Sequence, residues 1–248
     1  QGAGYTTGIF GKWHLGDEDA YQPEKRGFNE VFIHGAGGIG QAYPGSCGDA
    51  PHNSYFNPAI LHNGKFEKTK GYCTDVFFTQ AETWLESVKG TKPFFCYIPT
   101  NAPHAPLDVP EKYAAMYKGQ PANVAKFFGM VTNIDENVGK LLGKLKDWGI
   151  EKNTLVIFMN DNGGTAGVSV FNAGMRAQKG TPYRGGNRGM AFFRWPGTLK
   201  PGSVDRITAH LDFFPTITEL VGAKVPEGVK LDGFSLLPLL QNPEAPWP

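Results

Sequence analysis

Four short stretches of the chain carry residue types that could bind an anion or a metal ion, or transfer a proton. The first is the run of residues 4–16, in which Lys12 and His14 flank Trp13. Because side chains alternate along an extended strand, Lys12 and His14 would point one way and Trp13 the other. The glycines around them allow tight turns and close approach of a ligand. The run therefore presents a cation beside an imidazole, although a glycine-rich turn with a solvated lysine and a core histidine fits the same pattern.

Two further candidates follow apolar runs that have the composition of strands. His104 lies between two prolines just after residues 94–98, and the pair Asp161 and Asn162 follows residues 154–159. Ligands of open α/β sheets gather beyond the carboxyl ends of strands, and histidine is suited to proton transfer near neutral pH. The pair supplies one charged and one neutral hard oxygen, which suits Ca²⁺ or Mg²⁺. A structural loop histidine and an Asx turn are the alternatives.

The fourth stretch is a cationic, glycine-rich loop at residues 179–188, which begins with Lys179. It could bind an anion or be a basic surface loop. Two nucleotide motifs are excluded. Thr6 and Trp13 stand where a phosphate-binding loop requires other residues, and the glycines of residues 35–40 are followed by Pro44, which prevents the helix that a dinucleotide site needs.

The elements that must position these residues alternate between apolar strands and amphipathic helices. Buried strands are predicted at residues 31–33, 93–99, 154–159 and 191–195, and helices at residues 73–88, 123–148 and 210–221. Residues 35–71 have no clear period and predict a long loop or small strands over a pocket. The pattern indicates a single α/β domain over residues 1–248, with a largely parallel mixed sheet flanked by helices.

Composition limits the classes of partner. A formal net charge of +1 provides no field for nucleic acid, and no apolar run approaches the roughly 18–20 residues that a membrane span requires. The chain has no starting methionine, so we expect its N-terminus to lie upstream. Cys96 lies in an apolar run and is expected to be a buried thiol, whereas Cys47 and Cys73 could be reduced or paired.

Taken in order, the four stretches resemble the sulfatase family of the alkaline-phosphatase-like superfamily. The resemblance rests on Gly-Lys-Trp-His at residues 11–14, Pro-His-x-Pro at 103–106, Asp-Asn-Gly at 161–163 and the glycine-rich loop at 179–188. It implies an incomplete sulfatase-like fold and hydrolysis of a sulfate ester. The nucleophile in this family is a formylglycine, made from Cys or Ser, beside one Ca²⁺.

The resemblance also implies roles for individual side chains. Lys12 and Lys179 would hold the sulfate oxygens, where fixed positive charge stabilises the developing negative charge. His14 would contact the formylglycine and help to expel sulfate. His104 would lie at the leaving oxygen as proton donor or orienting group. These four side chains are the catalytic candidates.

The same comparison assigns two of the metal ligands to Asp161 and Asn162, and it exposes two departures. The formylglycine motif and the other aspartate ligands lie upstream of Gly-Lys-Trp-His in this family and are not among these 248 residues, so we expect this chain alone to be inactive and to bind Ca²⁺ weakly or not at all. In addition, Arg184 stands where relatives usually have an acidic residue, which puts the pairing within that loop and the orientation of Arg188 in question.

Partners and alternatives follow from the resemblance. The expected partner is a sulfated small molecule or sulfated carbohydrate, and the expected location is periplasmic, extracellular or lysosomal. A phosphoester or phosphonate hydrolase of the same superfamily is the alternative enzyme, but its two-zinc members place Asp-His where this chain has Asp161 and Asn162. A non-catalytic relative that binds sulfated glycans is the third possibility, motivated by the missing nucleophile and Arg184.

Overall fold

The computed structural model describes residues 1–35, 37–41 and 50–248. The strands are β1 (Thr6–Lys12), β2 (Glu30–His34), β3 (Ala59–His62), β4 (Lys65–Lys68), β5 (Phe94–Tyr97), β6 (Val156–Met159) and β7 (Ala191–Arg194). The α-helices are α1 (Cys73–Val88), α2 (Glu111–Ala114), α3 (Ala122–Asp147), α4 (Arg184–Asn187), α5 (Phe213–Leu220) and α6 (Leu237–Gln241). Short 3-10 helices span Asp19–Tyr21, Pro23–Arg26, Ala115–Tyr117, Glu151–Asn153, Ala166–Ser169 and His210–Asp212.

The main sheet has five strands in the order β4-β3-β2-β1-β5. β1 pairs in parallel with both β2 and β5, whereas β2, β3 and β4 form antiparallel neighbours. The turn between β3 and β4 uses Asn63 and Gly64 at positive φ, as a two-residue hairpin requires. β6 and β7 form a separate antiparallel pair. The mixed sheet with flanking helices confirms the predicted α/β class.

Both faces of β1 and β2 are buried, as the apolar run at residues 31–33 predicts for β2. Phe10 and Phe32 face the helices and pack in one cluster with residues of α1 and α3, including Phe77 and Met130. The alternate residues of these strands form a second cluster on the opposite face, with Ile9, Trp13, Val31 and Ile33 as its buried members. The period of two along the strands thus divides the core into two layers.

Helices α1 and α3 are joined by a polar contact as well as by apolar packing. One carboxylate oxygen of Asp75 on α1 accepts hydrogen bonds from the side chains of Asn133 at 2.8 Å and Asn137 at 2.7 Å. Both asparagines are buried on α3, where an unpaired amide would be costly. The network therefore fixes how the two helices cross beneath the sheet.

The prediction that β5, β6 and β7 are buried on both faces is wrong for the described residues. Phe95 is 36% exposed and Tyr97 is 45% exposed on β5, Met159 on β6 is 37% exposed, and Phe192 on β7 is 61% exposed. Among the described residues, β5 pairs only with β1 and β6 only with β7. Each of these strands therefore has an unpaired edge and lacks the neighbours that an apolar strand requires on both sides.

The remaining predictions about elements have mixed outcomes. The helices at residues 73–88, 123–148 and 210–221 are confirmed, and Gly149 at positive φ ends α3. Within residues 35–71 the small-strand alternative is correct at β3 and β4.

Cys96 is half-buried, and burial raises the pKa of its thiol. Cys47 lies outside the described residues, so its pairing with Cys73 stays a prediction. In the part of the chain that the structure describes, no helix is both long and apolar enough to cross a bilayer.

Candidate active site

Lys12 is placed by the close approach of β1 to the chain that follows β5. Its backbone amide donates to the carbonyl of Pro99 at 2.6 Å. Gly11 has a φ of +145°, and a Cβ at this position would lie 2.1 Å from the Pro99 carbonyl oxygen. Only glycine allows this approach. It brings the end of β1, with Lys12, next to the loop that carries His104.

The turn after β1 places Trp13 and His14 differently. The Trp13 amide donates to the carbonyl of His34 at 2.9 Å, and its indole N–H donates to the carbonyl of Tyr21 at 3.0 Å, which anchors the buried ring. His14 has a φ of +54°, so the expectation of an extended segment through His14 is wrong. The strand ends at Lys12 because the chain turns through the left-handed region there. A Cβ at residue 37 would lie 2.9 Å from the His14 ring. The ring can therefore occupy this position only because residue 37 is glycine.

The His104 loop is fixed by its own backbone and by a tyrosine. The His104 amide donates to the carbonyl of Asn101 at 2.8 Å, and the phenol of Tyr55 donates to the His104 carbonyl at 2.8 Å. Burial raises the pKa of the Tyr55 phenol well above its usual value, so it remains a donor. The His104 Nδ1 lies 2.8 Å from the Ala105 carbonyl oxygen. Since a carbonyl only accepts, the neutral ring has its proton on Nδ1 and a free lone pair on Nε2.

Asp161 and Asn162 lie in the turn directly after β6, and this turn packs closely on the glycine-rich loop. The amide of Gly163 donates to the carbonyl of Gly186 at 2.9 Å. A Cβ on Gly163 would lie 1.8 Å from the carbonyl oxygen of Gly185. The close packing of these two loops therefore requires glycine at residue 163. This steric requirement accounts for the glycine in the Asp-Asn-Gly sequence.

Lys179 is attached to the same turn by its backbone. Its amide donates to the Gly164 carbonyl at 3.0 Å, which places the lysine beside the Asp161 turn. Arg184 begins the short helix α4, and its carbonyl accepts the amide of Arg188 at 2.9 Å. Neither arginine side chain has an ion pair within the described part of the chain. Among the described residues, no acid therefore pairs with Arg184 or Arg188 in place of the acidic residue that the resemblance leads us to expect in this loop.

The pKa shifts show that the candidate groups share one electrostatic neighbourhood. Burial lowers the pKa of Lys12, the charge of Asp161 opposes this shift, and Lys179 adds to it. Burial also lowers the pKa of His14, and the charges of Lys12, His104 and Lys179 lower it further. Exposed charges more than about 10 Å apart are largely screened at ordinary salt. Lys12, His14, His104, Lys179 and Asp161 therefore gather at one rim of the sheet.

An open cavity of about 440 Å³ adjoins this cluster. His14 and His104 line it together with Asp17, Gln41 and several glycines. Pockets that hold small ligands have volumes of this order. The cavity would admit a molecule with an ester group near the two histidines and its remainder toward Asp17 and Gln41.

Two histidines near the site were missed by the reasoning from sequence. His34 ends β2 and is fully buried, and as the register partner of Lys12 it lies on the same face of the sheet. His210 places Nε2 3.2 Å from the carbonyl oxygen of Asn160, next to Asp161. Only their place beside a strand end or a helix start could have indicated them, because neither lies in a recognisable motif.

The metal candidates offer few oxygens on their own. The carboxylate of Asp161 is exposed, and the Asn162 amide N–H donates to the Gly163 carbonyl at 3.0 Å, which leaves its side-chain oxygen available. No group of three or more His, Cys, Asp or Glu residues in the described ranges could hold a metal ion. A carboxylate and an amide oxygen fit a hard cation, but Ca²⁺ takes six to eight oxygen ligands.

Comparisons with known proteins agree with this geometry. The family described as Sulfatase matches residues 1–223. The chain is 29% identical to the uncharacterized sulfatase YdeN of Escherichia coli (strain K12), with 98% of this chain and 46% of that protein covered. It is 31% identical to arylsulfatase J of Mus musculus, with 94% and 40% covered. The chain therefore spans less than half the length of these two relatives.

A solved structure has the same arrangement of elements. The crystal structure of Ps i-CgsB in complex with k-i-k-neocarrahexaose superposes with a TM-score of 0.86 at 32% identity, covering 98% of this chain and 56% of that one. Members of the family generally use a divalent cation and a formylglycine. The match over residues 1–223, together with these relatives, shows that the chain belongs to the sulfatase family.

Proposed function

We propose that the intact protein hydrolyses a sulfate ester at the rim where Lys12, His14, His104 and Lys179 gather around the Asp161 turn. The observation that carries the proposal is that His14 and His104 line one cavity, with the charges of Lys12, Lys179 and Asp161 close enough to act on the same groups. Four segments that are separate in the sequence converge there, which a set of unrelated surface residues would not do. The sulfatase family membership gives this convergence its chemical interpretation.

Lys12 and Lys179 are assigned to the sulfate group. Two ammonium groups held together with one nearby carboxylate leave the rim positively charged, which favours a bound anion. Lys12 is half-buried, so its interaction with a sulfate oxygen is screened less than a surface interaction would be. Charge that grows on the sulfate oxygens during bond cleavage is therefore stabilised by groups that are already in place.

His104 and His14 are assigned to proton handling. The neutral His104 ring has its proton on Nδ1, held by the Ala105 carbonyl, so Nε2 is the atom that meets a substrate. When protonated at Nε2, His104 donates to the ester oxygen as the alcohol leaves. The lowered pKa of His14 keeps its ring neutral near pH 7, so it can accept a proton at the opposite side of the sulfate.

Asp161 and Asn162 are assigned to a divalent cation, with Ca²⁺ as the proposed metal. One carboxylate and one amide oxygen suit a hard ion better than zinc, which favours nitrogen and sulfur ligands. When bound, the cation and the formylglycine supply the nucleophile and additional positive charge. The remaining metal ligands and the nucleophile have to come from outside these 248 residues.

Strands β5 and β6 each have one unpaired edge among the described residues, and this supports the division of the site. Both lead into it at their carboxyl ends, β5 into the His104 loop and β6 into the Asp161 turn. Their exposed side chains Phe95, Tyr97 and Met159 indicate that another part of the intact protein covers them. We infer that this part brings the nucleophile between the two loops, and that the 248 residues alone are inactive.

A sulfated carbohydrate is the proposed substrate. The cavity of about 440 Å³ beside His14 and His104 is large enough for a sugar ring, and its polar lining includes Asp17 and Gln41. The Ps i-CgsB structure was determined with an oligosaccharide, k-i-k-neocarrahexaose. From the resemblance to exported sulfatases, we propose a periplasmic, extracellular or lysosomal location.

The test is turnover of an aryl sulfate and an aryl phosphate by the intact protein, carrying its formylglycine, beside the Lys12→Ala and Lys179→Ala variants. We expect the sulfate to be hydrolysed faster than the phosphate, and each variant to lose about 10²- to 10³-fold in kcat, as when one preorganised donor is removed. Lys65→Ala, on the exposed strand β4, is the matched control and should keep full activity. Preference for the phosphate, or full activity of both site variants, would contradict the proposal.

A further inference from the structure

Asn160 lies between β6 and the proposed metal ligands, and the mechanism above gives it no role. It follows the last residue of β6 and directly precedes Asp161 and Asn162. The side-chain amide of Asn160 donates a hydrogen bond to the carbonyl of Asn162. Because this bond spans Asp161, it restrains the backbone on both sides of that carboxylate.

The side-chain oxygen of Asn160 joins the same turn to β7. The antiparallel register of β6 and β7, continued by one residue, places Asn160 opposite Met190. The Asn160 backbone amide donates to the Met190 carbonyl at 3.4 Å, as in a regular ladder, whereas the Met190 amide donates to the Asn160 side-chain oxygen at 2.6 Å. The side chain thus takes the place of the backbone carbonyl in the ladder, and that carbonyl is left for another donor.

His210 supplies the donor to the Asn160 carbonyl. Its Nε2 lies 3.2 Å from the carbonyl oxygen, and since a carbonyl only accepts, the proton of this contact is on Nε2. The His210 ring stacks on Phe213 with the ring centroids 6.4 Å apart, and Phe213 stacks on Phe193 of β7 at 5.6 Å. The same strand pair that carries Asn160 therefore also supports the histidine that contacts it.

The short 3-10 helix that begins at His210 is fixed by a buried carboxylate. Asp212 is 3% exposed, and it accepts the amide of Ala209 at 2.7 Å and the amide of Phe234 at 2.9 Å. Charge-assisted hydrogen bonds of this kind are stronger than neutral ones. His210 thus reaches the end of β6 from a well-supported segment.

We propose that Asn160 is a positioning residue for the cation ligands Asp161 and Asn162. His210 secures it through the Asn160 backbone carbonyl. The inference rests on the proposed function, because it takes Asp161 and Asn162 as ligands of the divalent cation. The side-chain oxygen and N–H₂ of Asn160 are engaged by Met190 and Asn162, so Asn160 acts through its neighbours and not as a ligand. Loss of a group that orients metal ligands typically weakens metal affinity about 10- to 100-fold.

The first experiment measures the calcium Kd of the intact protein by isothermal titration calorimetry, after bound metal has been removed with a chelator. Asn160→Ala removes the donor to Asn162 and the acceptor of Met190, and we expect the calcium Kd to rise about 10-fold or more. Asn242→Ala is the matched control, because it makes the same change in a turn without candidate site residues, where Asn242 accepts the Glu244 amide at 3.1 Å. An unchanged Kd in Asn160→Ala, or an equal rise in both variants, would overturn the inference.

The second experiment uses milder changes at His210. His210→Phe keeps a ring to stack on Phe213 and removes the donor to Asn160, whereas His210→Gln places a side-chain N–H₂ near the position of Nε2. We expect His210→Phe to raise the calcium Kd about 10-fold and His210→Gln to recover most of that affinity. Saturating calcium should restore most of the kcat of His210→Phe for an aryl sulfate. A loss of kcat that calcium does not restore, with an unchanged Kd, would count against the positioning role.

Failure of the proposed function gives a different set of results. If the parent protein binds no calcium, the proposed cation site fails and the inference fails with it. If the parent binds calcium but hydrolyses no aryl sulfate, sulfate ester hydrolysis fails and the Kd values still decide the inference. If the parent does both and the Asn160 and His210 variants match its Kd, the proposed function stands and the inference alone is wrong.

Discussion

Replacing Gly163 by alanine tests whether the Asp161 turn and the Lys179 loop act as one unit. The new Cβ would lie 1.8 Å from the Gly185 carbonyl oxygen and 2.7 Å from its carbon. Normal contacts between such atoms are about 3.5 Å, so the loops must separate by about 1.5 Å. Overpacking of this kind costs about 1–3 kcal/mol of stability. The same separation would lengthen the backbone hydrogen bonds from the Gly163 and Lys179 amides that join the two loops.

A displacement of about 1 Å at a catalytic group can reduce a rate about 100-fold, and we expect a loss of kcat of that order for Gly163→Ala. The assay is aryl sulfate hydrolysis by the intact protein, with thermal unfolding followed in parallel. Gly164→Ala is the control, because its Cβ would meet only the end of the Val168 side chain at 3.0 Å. A Gly163→Ala protein with unchanged kcat and unchanged Tm would refute the reasoning.

Three further predictions concern stability in the intact protein. Asp75→Ala leaves two buried asparagine amides of α3 without their acceptor and should lower the free energy of unfolding by about 2–4 kcal/mol in a urea titration, whereas an unchanged midpoint would contradict the network. Burial lowers the pKa of His62, but hydrogen bonds to Glu67 and Glu30 outweigh it and raise the pKa. This stabilisation is present below about pH 6.5 and is lost as the pH rises through the folded-state pKa, so His62→Gln should remove that part of the pH dependence in a Tm series. Gly139→Ala, at a helical position with open space around it, should raise stability by about 0.5–1 kcal/mol in the same titration, and a loss would argue against an open helical site.

Hydrophobic periodicity was sufficient to predict the long elements. The apolar positions of α1 and α3 recur at three- and four-residue steps, and packing on the sheet requires those steps. The apolar runs of β5 and β6 predicted strands correctly but not their exposure. A run of apolar residues indicates that a strand is made to be covered on both faces, and it does not indicate whether the covering segment is part of the same 248 residues.

The sequence predicted those residues of the candidate site that lie in recognisable motifs. Lys12, His14, His104, Lys179 and Asp161 stand in recognisable stretches, and the structure brings them to one rim. The left-handed turn at His14 was missed because the chain there is held by hydrogen bonds from the Trp13 and His14 amides to the distant carbonyls of His34 and Gly35, which local pattern does not reveal.

His34 shows a second limit of sequence reasoning. It occupies the last position of an apolar strand, where a histidine has no distinguishing spacing. Its place beside Lys12 depends on the parallel register of β1 with β2, and the chain after β5 is held over the same strand end by the contact between Gly11 and Pro99. A contact of this kind between two distant backbone segments has no signature in either segment alone.

The most direct test of the account is a crystal structure of the intact protein with vanadate, a stable mimic of the tetrahedral group in transfer. The account predicts the vanadium between the ammonium groups of Lys12 and Lys179, with His104 Nε2 within hydrogen-bond distance of an equatorial or leaving oxygen. Vanadate bound elsewhere, or those three side chains on separate surfaces of the intact protein, would contradict it.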